Sequence, residues 1–248
     1  MQITILSDMH GNCVALDAVL ADLRRHPATA MVCLGDAIQG GPQPAEVVGR
    51  LREMACPVVM GNADAWLLSG QETGNEPISA ERLVKMNAVR DWSLAQLSDA
   101  DRAFIAGFQP VVAIEAEAGQ RLLCFHGSPA SFNDVILPTT LEDEFQRLLA
   151  GQAATFFTGG HTHLQQVRRL GDGFFFNPGS IGLAYSHQQS DDGFRADPWA
   201  EYAILTLEPD CLGLEFRRVP FDVSALVRAY RSSGRPYPDD AVAQYGSA

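Results

Sequence analysis

The chain has 248 residues, 46% apolar and 19% charged, a globular balance that excludes wholesale disorder and suffices to bury a core without staples. Its 18 Lys and Arg against 30 Asp and Glu leave a formal charge of −12, which repels polyanions and argues against a broad nucleic-acid partner or an anionic membrane surface. A small anionic substrate would need a local positive centre, which a bound metal could supply.

Short apolar runs recur along the chain, each ending in a polar or glycine turn. They are Ile3–Leu6 before Asp8, Ala30–Leu34 before Gly35-Asp36, Val58–Met60 before Gly61-Asn62 and Leu122–Phe125 before His126-Gly127. Thr155–Thr158 before Gly159-Gly160-His161 and Phe174–Phe176 before Asn177-Pro178-Gly179-Ser180 complete the series. Runs of this length, rich in β-branched and aromatic residues, predict buried strands. Ala15, Leu16, Val19, Leu20 and Leu23 recur at helical spacing, and Pro27 closes that helix. Pro44 opens a second helix through Met54. Thr140 is expected to cap a third, Leu141–Ala150, with Gly151 past its end. Alternating strands and helices predict an α/β sheet with helical cover.

The stretch 78–108 breaks the alternation. Leu83, Met86, Val89, Trp92, Leu94 and Leu97 lie at helical spacing, and Ser98 caps a second helix, Asp99–Phe108. This pair reads as an insert, either a cap over the sheet edge or ordinary covering helices. Residues 181–200 read as a polar loop, Tyr202–Leu207 and Leu212–Val219 as a hairpin around Glu208-Pro209-Asp210, and Asp222–Ser232 as a last helix. The expected organisation is one domain over residues 1–233 and a polar tail over 234–248. The five cysteines, Cys13, Cys33, Cys56, Cys124 and Cys211, form no C-x-x-C and fit a reducing compartment. Met1–Leu6 has no signal-peptide pattern, and no apolar run reaches the roughly 20 residues of a membrane helix. These features predict a cytoplasmic protein.

Four of the six histidines, His10, His126, His161 and His163, stand at predicted strand ends, with Asp8, Asp36 and Asn62. In open α/β sheets, ligands bind beyond the carboxyl ends of the strands. Each pair alone is an ordinary loop or turn; five strand ends carrying such side chains in order point to metal. Imidazole, carboxylate and amide oxygen without thiolate suit manganese first, then iron, zinc, cobalt or nickel, more than calcium. Seven ligands exceed the three or four that one catalytic zinc takes, so two divalent ions are expected, with Asp36 as the shared bridge.

Ser7-Asp8-Met9-His10-Gly11-Asn12, Gly35-Asp36, Gly61-Asn62-Ala63-Asp64, His126-Gly127 and Gly160-His161-Thr162-His163 resemble the five motifs of the calcineurin-like metallophosphoesterases. Asn177-Pro178-Gly179-Ser180 further resembles the small bacterial and archaeal phosphodiesterase branch. The resemblance implies a four-layer α/β/β/α sandwich. It implies one metal held by Asp8, His10, Asp36 and His163 and another by Asp36, Asn62, His126 and His161. It also implies hydrolysis of a small phosphate ester by a metal-held hydroxide, with Asp36, Asn62 and His126 catalytic through that hydroxide and Asn62 touching substrate. Many family members carry His between the Asn and the acid of the third motif, where this chain has Ala63. Lacking that group, the chain is expected to prefer phosphodiesters or activated monoesters over alkyl monoesters.

Around this set, Asp64 either orients a ligating histidine or serves as a helix N-terminal acid. Asn12 reads as a cap, Gly179-Ser180 as a turn and His26 as structural. His187 and Arg195, in the loop after Ser180, could reach substrate, and His187 could replace the missing acid. Trp66 and Trp92 could wall the cleft or join the core. Arg24-Arg25, Arg168-Arg169 and Arg217-Arg218 read as solvated pairs, not a basic patch. Two other readings stay open: a protein phosphatase, and a silent metal-binding scaffold like the retromer subunit that resembles this family.

Overall fold

The computed structural model describes residues 1–71, 78–116, 119–189, 193–208 and 211–246. Five of the six apolar runs become strands of two sheets. The first has the order β2-β1-β8-β9, from β1 (Gln2–Leu6), β2 (Ala30–Cys33), β8 (Trp199–Glu208) and β9 (Cys211–Pro220). The second has the order β3-β4-β5-β7-β6, from β3 (Val112–Glu115), β4 (Arg121–Cys124), β5 (Phe156–Thr158), β6 (Gln166–Leu170) and β7 (Gly173–Asn177). The pairs β1·β2, β4·β5 and β5·β7 are parallel, with Ile5 opposite Val32 and Leu123 opposite Phe157. Parallel strands buried on both faces read as unbroken apolar runs, which is why these were visible in the sequence.

The sheets pack face to face. Ile3, Ile5, Val32 and Leu34 from the first share one core with Leu122, Cys124, Phe156 and Phe176 from the second. Helices cover the outer faces. On the first sheet lie α1 (Cys13–Leu23), α2 (Pro44–Met54), α3 (Asn62–Ser69) and α5 (Asp99–Ala106), through Leu16, Val19, Val47, Leu51, Leu67 and Ile105. On the second, α6 (Glu142–Leu148) sets Phe145 against Phe125 and Phe175. The four layers are α/β/β/α. Beside α1 lies α7 (Val223–Ser232), whose Leu226 and Tyr230 cluster with Val14 of α1, with Phe221 and with Ala241 of α8 (Pro238–Val242).

Several elements differ from expectation. The edge strands β3 and β6 were not anticipated. The Gln-Val-Arg-Arg-Leu of β6 alternates buried and exposed residues and lacks an apolar run, whereas β3 continues one, Val111–Ile114, that was legible. Val58–Met60 forms only single bridges, Cys33 to Val58 and Val59 to Gln109. Thr140 does not cap α6: its Oγ1 accepts from Leu137 N, and α6 starts at Glu142 without a side-chain cap. The two readings of the 78–108 stretch divide between its helices. Ile105 of α5 and Phe108 enter the core, whereas α4 (Ala80–Ala95) buries only Val89 and Ser93. Ser98 caps α5 in a reciprocal box with Asp101, as its position predicted. Pro209 and Asp210, the centre of the expected hairpin turn, lie outside the described residues. The polar stretch after Gly234 carries α8 and a 3-10 turn, Ala243–Tyr245.

One buried network ties helix to sheet. Asp22 of α1, 3% exposed, accepts hydrogen bonds from Tyr202 Oη at 2.7 Å and Arg217 Nε at 2.9 Å. Burial works against its charge, but Tyr202, Arg217 and Arg25 outweigh that and hold its carboxyl well below the ordinary carboxylate range. Arg217 also meets His26 Nε2 at 2.9 Å, so His26 is structural as expected, while Arg217 is no solvated residue.

Candidate metal centre and its cleft

The strand ends bring the seven predicted ligands to one place. Asp8 follows β1, Asp36 follows β2, His126 follows β4, His161 and His163 follow β5, and Asn62 opens α3. Six of them form two groups, Asp8 with His10 and His163, and Asp36 with His126 and His161, each offering three donor atoms within 4.8 Å of one another. The groups adjoin. His10 Nε2 lies 3.9 Å from both Asp8 Oδ1 and Asp36 Oδ2, and His126 Nε2 lies 3.4 Å from Asp36 Oδ2 and 2.9 Å from Asn62 Oδ1.

The backbone there is strained. Among the described residues, seven non-glycines have positive φ, and five of them are Asp8, His10, Asp36, His161 and His163, at 47–68°. Such conformations cost about 1–3 kcal/mol each and persist only where the surroundings impose them. The surroundings are visible. Asp8 N donates to Gly35 O, His10 N to Asp36 O, and Ile181 N and Gly182 N to Ser7 O and Asp8 O. Ser180 Oγ donates to Asp8 O, and Asn177 Nδ2 to Gly160 O. The Asn177-Pro178-Gly179-Ser180 turn therefore props the loops from behind. Close approach also dictates glycine: a Cβ on Gly61 would fall 2.1 Å from Asp36 Oδ1, and one on Gly160 would fall 2.2 Å from Ser7 Oγ.

The donors fit divalent cations. His10, His126 and His163 each direct Nδ1 at a backbone carbonyl, of Gln39, Leu34 and Leu183, at 2.7–3.0 Å. Those carbonyls accept Nδ1–H, which assigns the lone pair to Nε2 in the neutral ring, the arrangement of metal-ligating histidines. Yet His10 Nε2 and His163 Nε2 face each other at 3.0 Å, and His163 Nε2 lies 3.3 Å from Asp8 Oδ1, a buried oxygen without a hydrogen-bond partner. Acceptors crowded onto acceptors in a buried site call for positive charge between them. The pKa pattern agrees. Burial opposes charge on His126, but Asp36 and Asp8 push it up to about 9, while burial and His126 hold His161 down to about 4. Burial would raise Asp36, yet His126 and His10 bring it below the ordinary carboxylate range.

The calcineurin-like phosphoesterase superfamily domain matches residues 1–208 of this sequence. The chain belongs to that superfamily. It is 27% identical to the Methanocaldococcus jannaschii protein MJ0912 over 89% of this chain and 88% of the other. It is 28% identical to the phosphodiesterase YfcE of Escherichia coli K12, over 74% of this chain and 80% of that one. Among solved structures, a metallophosphoesterase from Sphaerobacter thermophilus shares the fold at 24% identity and a TM-score of 0.73, with both chains fully covered. This superfamily is metal-dependent, and the two groups above are its candidate ligands here.

Beside the calcineurin-like centre opens a cleft of about 390 Å³. His10, Asn62 and Ala63 lie at its inner end. Arg82, Lys85, Met86 and Val89 of α4 form one wall, and Arg235, Tyr237 and Asp240 another. Trp66 lines it as anticipated; Trp92 does not. Asp64 touches no histidine. Its carboxylate accepts from Ala37 N and Ile38 N, fixing the loop after Asp36, and burial with the nearby Asp36 charge raises it to about 7. Asn12 is the expected cap, accepting from Ala15 N. His187 Nε2 meets Thr162 O at 2.7 Å and its ring stacks on Tyr185, which packs against His163. Arg195 instead donates to Ala243 O near the C-terminal turn. Sequence reasoning missed Arg82, Lys85, Gln39 and Arg235. The stripe of Arg82, Lys85, Met86 and Val89 was a readable signal for the wall; the placement of Arg235 had none.

Proposed function

We propose that this superfamily member is a metal-dependent phosphodiesterase that also accepts phosphomonoesters with acidic leaving groups. The observation that supports it is the buried donor cluster, with three Nε2 atoms fixed inward by carbonyls and Asp8 Oδ1 left without a partner. Asp8, His10, Asp36 and His163 would hold one divalent ion, and Asp36, Asn62, His126 and His161 a second, manganese fitting the donor set first. Bound there, such ions supply Lewis-acid charge for phosphoryl oxygens and acidify water. In the net reaction, the water oxygen bonds to phosphorus, the ester P–O bond breaks, one water proton ends on the departing oxygen or, for an acidic phenol, in solvent, and the other goes to solvent.

The chain's own residues set the selectivity. Ala63 lies at the inner end of the cleft and its backbone N–H donates to Asp36 Oδ1, so its methyl group offers no proton to a leaving oxygen. A missing general acid is typically worth about 10²–10⁴-fold and is felt most by poor leaving groups. Esters that leave as stabilised anions tolerate the loss; alkyl monoesters such as phosphoserine do not. Seven filled ligand positions favour an enzyme over a silent scaffold, and Ala63 disfavours a protein phosphatase.

The test is a manganese-supplemented panel of bis(p-nitrophenyl) phosphate, p-nitrophenyl phosphate and phosphoserine. Turnover of the diester above phosphoserine, lost in Asp36→Asn and His126→Ala, is expected. A preference for phosphoserine would overturn the selectivity, and manganese binding without turnover would restore the scaffold reading.

A further inference from the structure

The cleft between α4 and the C-terminal segment carries a local charge opposite to that of the chain. Lys85 is neutralised there by Asp240, at 2.8 Å. Arg82 is not: among the described residues its guanidinium has no partner, although it lines the cleft. Arg235 has no carboxylate within 4.0 Å among those residues. Its guanidinium is fixed by donation to the carbonyls of Gly40, Pro236 and Tyr237. Two guanidinium groups without a paired carboxylate thus line one cleft in a protein of formal charge −12. Trp66 and Gln39, 8% and 6% exposed, line the same cleft.

We propose that this cleft receives the non-reacting arm of the substrate and selects an arm bearing a second anionic group. The inference rests on the phosphodiesterase reading above. With the scissile phosphoryl group at His10 and Asn62, the arm runs outward beneath α4. Arg82 and Arg235 take its phosphate or carboxylate, and Met86 and Val89 cover its apolar body. A volume of about 390 Å³ is within the range that encloses a drug-sized or nucleotide-sized group. An arm without charge would leave the Arg82 guanidinium without a partner and Arg235 without a paired anion. The chemical class is therefore a phosphodiester with a second phosphate or carboxylate, of the bulk of a nucleotide.

The probes are thymidine 3′,5′-bisphosphate and thymidine 5′-phosphate, which differ by one anionic group. Their binding to the full chain is measured by titration calorimetry, with and without manganese. Turnover of the corresponding p-nitrophenyl 5′-esters is followed in parallel; water adds at phosphorus and p-nitrophenolate leaves. Charge-assisted hydrogen bonds to two arginines predict at least about tenfold tighter binding of the bisphosphate. Arg82→Ala should erase most of that ratio and Arg82→Lys restore part of it. Arg147→Ala on α6 changes the same charge away from the cleft and should keep the ratio. Arg82 is exposed and unpaired, so its removal leaves the fold intact. Equal binding of the two probes, or a ratio that survives Arg82→Ala, overturns the inference. A preserved ratio with no turnover of any ester overturns the phosphodiesterase reading instead and leaves the anion-selective cleft standing.

Discussion

Replacing Gly61 with alanine tests whether the seat of Asp36 governs the site. Gly61 has φ −90°, which any residue adopts, so the consequence is one of space alone. The added Cβ would stand 2.1 Å from Asp36 Oδ1 and 2.2 Å from Asp36 N. A carboxylate can rotate away; a backbone nitrogen cannot. Opening the 2.2 Å gap to the 3.0 Å a Cβ needs shifts the Asp36 backbone by about 0.8 Å. Overpacking of this kind costs about 1–3 kcal/mol of stability. A displacement near 1 Å at reacting groups costs about 10²-fold in turnover. Gly61→Ala should therefore fold, lose about 10²-fold in kcat/KM on bis(p-nitrophenyl) phosphate, and bind manganese more weakly by calorimetry. Gly49→Ala is the control, since its Cβ would meet nothing within 4 Å. Mid-helix, it should gain about 0.5–1 kcal/mol and keep full activity. A Gly61→Ala protein with manganese affinity and turnover within about threefold of the parent would refute the reasoning.

Asp22→Asn should cost about 3 kcal/mol at pH 7, because it leaves Arg217 and the buried Tyr202 hydroxyl without their carboxylate. At roughly 2–4 °C per kcal/mol in a chain of this size, thermal melts should fall by about 6–12 °C. The folded pKa is depressed, so this stabilisation is present above the unfolded value near 4 and is lost as pH falls; the gap between parent and variant should close by about 1.4 kcal/mol per pH unit below that point. A gap that widens in acid would sink the argument. Ala63→His should raise turnover of alkyl monoesters by about 10²-fold or more while changing aryl diester rates much less, as read from the leaving-group dependence of kcat. Manganese at about 100 times its Kd should add about 2.7 kcal/mol to stability, seen as a rise in Tm that Asp36→Asn and His126→Ala abolish.

The legible part of this protein is its inner part. Ile3–Leu6, Leu122–Phe125 and Thr155–Thr158 announce themselves because strands flanked by layers on both sides are apolar throughout, and their ends carry the polar ligands. The outer strand β6 was hidden by the alternation that one wet face imposes, whereas β3 lies in a legible apolar run, Val111–Ile114. The helix α3 was masked because its first residue, Asn62, reads as half of a Gly-Asn turn. Asp64 left two roles open for a related reason. It stands in the first turn of α3, as one of the two readings has it, and turns its carboxylate to the amides of Ala37 and Ile38 and not to a histidine. Arg82 and Arg235 converge only because α4 and the C-terminal segment close on the same cleft, a long-range pairing that local pattern cannot express.

The left-handed backbone at Asp8, His10, Asp36, His161 and His163 has a kinetic corollary. Side chains anchored by overdetermined loops have little rotational freedom left to surrender when a cation arrives. Capture should then be governed by diffusion and by shedding of the ion's hydration shell, with no slow rearrangement of the polypeptide. The same rigidity makes the loops poor places to seek thermostabilising substitutions, since relaxing any one of them would trade grip on the ion for resistance to heat.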